Sequence, residues 1–194
     1  MEVNEPDLAY NNYTYADYLK WNMDEMVEII NGRVYKLSAP KRVHQTISIR
    51  ISSKIFNLLE GQKCKVYSAP FDVRLPIKSR KNEDIFTVVQ PDICVICDPT
   101  KLDDAGCIGA PDLIIEILSK GNNKKELQNK YEVYEEFGVK EYWIVAPESQ
   151  FMQVNTLVNG KYQPSKLLTL GDEIITPILP GFALNLDAVF ANLD

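Results

Sequence analysis

The chain has 194 residues, of which 45 % are hydrophobic and 25 % charged, and its formal net charge is −6. This length suits one domain with its own core, and the composition excludes a chain that is disordered throughout. The negative charge argues against a protein that coats nucleic acid, because that binding mode needs clustered Lys and Arg. It does not exclude an enzyme acting on nucleic acid, where a metal ion and a few local cations can neutralise the phosphate.

No apolar run approaches the roughly 18 residues that a membrane span needs. Residues 1–10 are polar and acidic and contain no apolar signal core. We therefore expect a cytoplasmic protein without a membrane segment.

The chain contains four cysteines, Cys64, Cys94, Cys97 and Cys107. Cys94 and Cys97 lie three residues apart in a predicted strand, so they face opposite sides of a sheet and cannot easily share a zinc ion. We predict buried free thiols instead.

The first half of the chain predicts a short helix, a hairpin and a long helix, after a poorly ordered lead at residues 1–12. Thr14 is the predicted N-cap of a helix that ends near Asn22, with Asp17 at the capping-box position. Asn31-Gly32 between two apolar runs predicts a two-residue β-hairpin. A helix is predicted over residues 43–59, because one stripe at helical spacing contains Val43, Ile47, Ile51, Ile55 and Leu58.

The second half combines predicted strands with one helix. Strands are predicted at residues 65–68, 71–75, 88–97, 113–118 and 142–145, with a polar, basic loop at 77–84. A helix over 124–137 is expected to end at Gly138. A hairpin at Asn159-Gly160, short strands near Ile174 and Phe182, and a helical turn near Ala188 follow. The simplest assembly is an α/β (α+β) domain over residues 13–194, with one mixed β-sheet flanked by helices and extra β-hairpins.

Two carboxylates lie in apolar strands, Asp92 in QPDICVIC and Glu116 in PDLIIEILS. A buried unpaired carboxylate costs several kcal/mol or becomes protonated. A divalent cation removes that cost, since Mg²⁺ typically takes one or two protein carboxylates. The alternative for each is a carboxylate at a strand end that faces solvent or pairs with Arg or Lys.

Lys130 falls within the apolar stripe of its predicted helix, which also contains Leu127, Tyr131, Tyr134 and Phe137. A lysine near two metal-binding carboxylates can orient the attacking water or stabilise charge on the phosphate. The alternative is a lysine that extends to solvent from the edge of the stripe.

Two further residues stand out by their position. His44 lies in the apolar stripe of the 43–59 helix, where a hydrogen-bonded core or interface histidine is commoner than a ligand. Glu28 is expected on the same side of its hairpin as Ile30 and Tyr35, and its alternative is a solvated carboxylate at a sheet edge.

The chain resembles the Uma-type restriction endonuclease domain family, a branch of the PD-(D/E)XK nuclease superfamily. The matching segments, in chain order, are 27–32 (VEIING), His44-Gln45, Gln90-Pro91-Asp92, 110–119 (APDLIIEILS), Lys130, Tyr134 and 138–145 (GVKEYWIV).

This resemblance implies a restriction-endonuclease-like fold. It makes Asp92 the aspartate of the PD motif, Glu116 the acidic residue of the second half-motif, and Glu28 the upstream acid. The usual lysine two residues after the acid is Leu118 here, and Lys130 is expected to place its ammonium in the same space. Asp112, which also follows a proline, competes with Asp92 and is read as strand entry.

These residues predict a metal-dependent endonuclease acting on nucleic acid, with DNA as the expected substrate. Asp92 and Glu116 would hold Mg²⁺ or Mn²⁺, with Lys130 and Glu28 completing the catalytic set. Two basic clusters could contact the phosphate backbone or form ordinary solvated surface. Their members are Lys78, Arg80, Lys81, Lys120, Lys124 and Lys125.

The main alternative is a catalytically inactive, nuclease-like module that acts as an oligomeric binding protein or scaffold. The net negative charge and Leu118 favour it. Geometry separates the two hypotheses, because an enzyme requires the Asp92 and Glu116 carboxylates within joint reach of one cation, with the Lys130 ammonium nearby. A homodimer is expected, since a double-strand cut needs two active sites.

Overall fold

The structure is a computed structural model that describes residues 6–8, 10, 12–22, 25–119 and 124–193, and only the backbone of residues 124–126. The described helices are α1 (Tyr15–Tyr18), α2 (Arg42–Leu59), α3 (Lys124–Phe137) and α4 (Leu186–Phe190). The strands are β1 (Val27–Ile30), β2 (Arg33–Lys36), β3 (Lys65–Ser68), β4 (Val73–Arg74), β5 (Val88–Val89), β6 (Ile93–Ile96), β7 (Leu102–Asp103), β8 (Gly106–Ile108), β9 (Leu113–Ile117), β10 (Glu141–Ala146), β11 (Phe151–Val158), β12 (Lys161–Pro164), β13 (Glu173–Ile175) and β14 (Ala183–Asn185).

The predicted class, a mixed β-sheet with helices packed on it and extra hairpins, is confirmed, but assembly into one sheet is wrong. A main sheet has the strand order β12-β11-β10-β9-β6-β3, and a second sheet has the order β2-β1-β5-β4-β8-β7. Strands β13 and β14 form a separate pair. The two large sheets separate because the predicted strand at 88–97 is interrupted at Gln90-Pro91-Asp92. Pro91 has no N–H for a sheet ladder, and β5 and β6 consequently enter different sheets.

The centre of the main sheet is the parallel pair β9 and β10, which α3 connects. Alternation along β9 distributes its side chains between two cores. Leu113, Ile115 and Ile117 pack with α2, α4 and the β13–β14 pair. Ile114 lies on the other face, with α3 and buried residues of the second sheet. Strand β9 therefore contributes side chains to the cores on both faces of the main sheet.

Helix α2 occupies nearly the predicted range and presents the predicted stripe to the main sheet. Ile47, Ile51 and Ile55 are fully buried, and Leu59 is buried more deeply than Leu58. Each fully buried Ile contributes roughly 1.5–3 kcal/mol of hydrophobic stabilisation. This packing fixes the first turn of the helix, which carries His44.

The hairpins follow their turn residues. Asn31-Gly32 and Asn159-Gly160 both have positive φ angles, and they connect β1 to β2 and β11 to β12. Asn-Gly is favoured in such turns because both residues tolerate left-handed backbone.

Some predicted boundaries in the first half change. Helix α1 begins after Thr14, whose backbone N–H donates to Asp17 at 3.0 Å, but it ends at Tyr18 and not at Asn22. The strand predicted at 71–75 shrinks to β4. Residues 1–5, 9 and 11 of the predicted lead lie outside the described residues.

The prediction of four free thiols is wrong for two of them. Cys64 and Cys97 form a disulfide, because β3 and β6 pair with Lys65 opposite Ile96, which places the adjoining cysteines opposite each other. Cys94 and Cys107 are free and buried, as predicted. Among the described residues, no helix has the length and apolar character needed to cross a membrane.

Candidate active site

Asp92 lies between β5 and β6, at the point where the chain passes from the second sheet to the main sheet. Its Oδ2 accepts a hydrogen bond from the backbone N–H of Ile117 at 2.7 Å, and its Oδ1 lies 3.1 Å from His44 Nε2. These contacts hold the carboxylate against the end of β9, one residue beyond Glu116.

Glu116 projects from β9 towards α3. Its Oε1 accepts hydrogen bonds from Lys130 Nζ at 3.0 Å and from the Tyr134 hydroxyl at 2.6 Å. Burial raises the pKa of Glu116 to about 7, because the negative charges of Asp92 and Glu28 add to desolvation and outweigh the opposing charge of Lys130. Both donors contact Oε1 of Glu116, so the other carboxylate oxygen is available to another group.

Lys130 is buried, as its helical phase predicted, and it does not extend to solvent. Its ammonium lies 3.0 Å from Oε1 of both Glu116 and Glu28, and the residue is 5 % exposed. Burial alone would lower the pKa of Lys130, but the two glutamates raise it well above its usual value. The lysine is therefore a fixed positive charge inside the site.

Glu28 is not the solvated edge carboxylate of the alternative interpretation. It lies on β1 opposite Tyr35 and is 1 % exposed. Its Oε1 accepts hydrogen bonds from the backbone N–H of Gln90 at 2.8 Å and from Lys130. Glu28 thereby connects the second sheet to the acidic cluster.

His44 points from the first turn of α2 into the site, where it contacts Asp92. Burial tends to lower the pKa of His44, but the hydrogen bond and charge of Asp92, together with the charge of Glu116, raise it overall. Its Nδ1 is buried and has no hydrogen-bond partner in the described part of the chain. The histidine is thus a hydrogen-bonding partner of the Asp92 carboxylate, in line with the hydrogen-bonded histidine that its position in the stripe favoured.

These side chains surround a cavity of about 440 Å³. Its lining includes Asp92, Glu116, Lys130 and His44. Further lining residues come from the chain after β2, from α2 and from the loop after β3. The volume falls within the range of sites that enclose a small ligand or part of a larger one.

Asp112 lies outside this cavity. Its Oδ2 accepts a hydrogen bond from the backbone N–H of Cys97 at 2.7 Å, and its Oδ1 lies 2.6 Å from Lys140 Nζ. Asp112 therefore anchors the start of β9, as its interpretation as strand entry predicts.

The described residues of the two basic clusters do not line the cavity. Lys78, Arg80 and Lys81 are exposed on the 77–84 loop and are not among the cavity's lining residues. Lys120 and the side chains of Lys124 and Lys125 lie outside the described residues.

Sequence reasoning placed Tyr134 in the apolar stripe of its helix and gave it no role in the site. Its hydroxyl contacts Glu116, and the signal was its spacing of four residues from Lys130, which places both on one helix face. Gln90 was also missed as a side chain. Its amide donates to the Tyr18 hydroxyl at 3.1 Å and to Asp72 Oδ1 at 2.9 Å, contacts that no local sequence pattern indicates.

The donor chemistry of the cluster fits a divalent cation. Lys130 contacts the carboxylates of Glu28 and Glu116, and burial, together with the negative charges of Asp92 and Glu28, raises the pKa of Glu116. Within the described residues no three His, Cys, Asp or Glu side chains are grouped to hold a metal. Asp92 and Glu116 alone meet the one or two carboxylates that Mg²⁺ typically takes, with water and phosphate oxygens completing its shell.

Comparison with known proteins identifies a matching family and a similar fold. The model of the Uma2 family, described as "Putative restriction endonuclease", matches residues 15–187. A Synechocystis protein described as "Uncharacterized protein slr1290" is 26 % identical over 136 residues, which cover 69 % of this chain and 68 % of that protein. A crystal structure described as "a putative nuclease belonging to DUF820" from Anabaena variabilis superimposes with a TM-score of 0.74 at 18 % identity, covering 93 % of this chain and 99 % of the other. The last similarity establishes the fold.

Proposed function

Because the chain belongs to the Uma2 family, we propose that it is a metal-dependent endonuclease that hydrolyses phosphodiester bonds in DNA or a related nucleic acid. The observation that supports this proposal most strongly is the convergence of three side chains from three elements. Asp92 comes from the β5–β6 connection, Glu116 from β9 and Lys130 from α3, and all three line one cavity.

Asp92 and Glu116 would hold Mg²⁺ or Mn²⁺ at the edge of β9. The cation, when bound, polarises a phosphoryl oxygen and lowers the pKa of a bound water. His44 and the Ile117 N–H fix the orientation of Asp92, while Lys130 and Tyr134 fix Glu116. Because these donors are already in place, little reorganisation is needed when the phosphate arrives.

Lys130 has two roles in this proposal. Its charge lowers the pKa of Glu116 against the raising effect of burial, and it offsets negative charge that develops on the phosphate during attack by water. Glu28 holds the ammonium in place from the opposite side. In the superfamily pattern these roles belong to a lysine two residues after the acidic residue, where this chain has Leu118. We assign them to Lys130 instead.

The inactive binding or scaffold module is less well supported. A Lys130 that pointed to solvent would have weakened the enzyme hypothesis, whereas its ammonium lies 3.0 Å from Glu116. A homodimer and a cytoplasmic location stay part of the proposal, and light scattering at several protein concentrations tests the dimer.

The direct test is isothermal titration of Mn²⁺ into the wild type and Glu116→Gln at pH 8, followed by an oligonucleotide cleavage assay. We expect binding and cleavage by the wild type, and loss of both in the variant. Glu83→Gln, which changes an exposed carboxylate outside the cavity, is the control and should behave as wild type. A folded wild type that binds no Mn²⁺ would refute the metal-dependent mechanism.

A further inference from the structure

We infer that the cavity beside the acidic cluster receives one nucleotide of a single-stranded nucleic acid, so that the substrate is a single strand or a frayed strand end and not an uninterrupted duplex. This inference rests on the proposed nuclease function and specifies its substrate. It follows from the charges, the chemistry and the exposure of the cavity walls.

The charges of the cavity walls do not suit the backbone of a duplex. Among its described lining residues, the lysines are Lys36 and Lys130, and there is no arginine. Lys36 forms an ion pair with Glu25, and Lys130 is held between two glutamates. Tight binding of a duplex needs many Lys and Arg contacts along its phosphates. The described part of the cavity offers a place for one phosphate, at the cation that Asp92 and Glu116 would hold, and few cations for neighbouring phosphates.

The remaining walls suit a nucleobase. Polar residues of the lining include Ser38, Ser48, Ser52, Ser68 and Gln45. Serine hydroxyls and a glutamine amide can donate and accept hydrogen bonds as the edge of a base requires, although the Ser52 hydroxyl already donates to the Ser48 carbonyl. In a duplex the base edges used for pairing are hidden, whereas an unpaired base offers both its edge and its face.

Two large hydrophobic side chains of the described lining are exposed. Ile49 on α2 is 62 % exposed and Met26 before β1 is 40 % exposed, and both belong to the cavity. A base placed against them would cover apolar surface that the chain itself leaves in water. Contacts of this kind are sequence-tolerant, because every base has an apolar face. The cavity of about 440 Å³ has room for one nucleotide but not for the width of a duplex.

The test measures fluorescence anisotropy of a labelled 12-nucleotide DNA strand, alone and as a blunt duplex, with the wild type and Ca²⁺ in place of Mn²⁺. Asp92 and Glu116 then keep a cation for the phosphate, and denaturing gels confirm that the DNA stays intact during the measurement. We expect the single strand to bind about tenfold more tightly than the duplex, and Ile49→Ser to weaken that binding about tenfold. Phe56→Ser is the matched control. Phe56 lies on the same helix, is 57 % exposed and is not among the cavity's lining residues, so its replacement should have little effect.

Equal or tighter binding of the duplex, no binding of either, or equal losses in the two variants would overturn the inference. A second assay separates it from the nuclease proposal, by incubating wild type and Mn²⁺ with both DNAs. Cleavage of the duplex alone would preserve the nuclease proposal and contradict the single-strand pocket. The expected binding pattern without any hydrolysis would support the pocket and contradict the nuclease proposal.

Discussion

At the scale of the residue, the unusual feature of this protein is that Glu116 and Lys130 are both charged groups in a buried place. Each makes the other tolerable, and Glu28 and Tyr134 supply the remaining partners. Buried polar clusters are stable only when their members are paired. Burial of this cluster therefore lowers the free energy of unfolding of the metal-free protein, and a bound cation would raise it again.

We predict that the unfolding free energy of the metal-free wild type falls, relative to that of Glu116→Gln, as the pH rises from 4.5 to 8. The folded-state pKa of about 7 is above the ordinary value of 4.5, so the folded protein holds a proton that the unfolded chain releases. This contribution is fully present below pH 4.5 and is lost as pH rises through 7. Relative to the variant, the wild type should lose about 3 kcal/mol of unfolding free energy between pH 4.5 and 8.

Urea unfolding of both proteins in EDTA, at pH 4.5 and pH 8, measures this difference. Glu83→Gln, an exposed site with no place in the cluster, controls for a general effect of removing a carboxylate. Parallel pH profiles of wild type and Glu116→Gln would contradict the strained environment assigned to Glu116.

We also predict that Tyr134→Phe weakens Mn²⁺ binding about tenfold, because one of the two donors that orient Glu116 is removed. The cost in unfolding free energy should be about 1–2 kcal/mol. Tyr162→Phe is the matched control, since its hydroxyl donates to the Val139 carbonyl at 3.0 Å and does not contact Glu116. Titration calorimetry distinguishes the cases, and equal metal affinities for both variants would remove Tyr134 from the site.

At the scale of the element, α2 has two faces with different tasks. Ile47, Ile51 and Ile55 pack on the main sheet, while Ile49 and Ser52 line the cavity. The same helix carries His44 to Asp92 in its first turn. The hydrophobic face thus sets the position of the side chains on the cavity face.

The two faces predict different effects of equal truncations. Ile51→Ala should lower the unfolding free energy by about 2–5 kcal/mol, because it leaves a cavity in a fully buried cluster. Ile49→Ala, at a residue that is 62 % exposed, should change it by less than about 0.5 kcal/mol. Urea unfolding of the two variants makes the comparison, and similar losses would contradict the orientation of α2.

At the scale of the whole molecule, the site is a junction between layers. Glu28 belongs to the second sheet, Glu116 to the main sheet and Lys130 to α3. Helix α3 shares one hydrophobic core with residues of both sheets. Asp92 lies at the crossing between the two sheets. The site therefore forms only when both sheets and the helix are assembled.

Substitutions in the two Pro-Asp pairs, Pro91-Asp92 and Pro111-Asp112, test this assignment of the site. Asp92→Asn should abolish metal binding and cleavage, because Asp92 faces the cavity beside Glu116. Asp112→Asn should retain metal binding but lower the unfolding free energy by about 1–3 kcal/mol, because it weakens contacts to Cys97 and Lys140. Calorimetric titration compares the metal affinities of the two variants, and urea unfolding compares their unfolding free energies. Loss of metal binding in Asp112→Asn with its fold intact would reverse the assignment.

The sequence by itself determined the local structure and much of the candidate site. Helical phase predicted that Lys130 is buried, strand alternation placed Glu116 apart from Ile115 and Ile117, and Asn-Gly pairs predicted two hairpins. These inferences succeed because each depends on a periodicity or backbone preference within a few residues.

Only the tertiary structure decided which of these residues meet. The division into two sheets, the Cys64–Cys97 disulfide and the contacts of His44 and Glu28 all join segments far apart in the chain. The choice between Asp92 and Asp112 belongs to the same class, since both follow a proline and precede an apolar strand. Local preference cannot separate them, because the difference is the partner that packing brings to each carboxylate: His44 and the cavity for Asp92, Lys140 for Asp112.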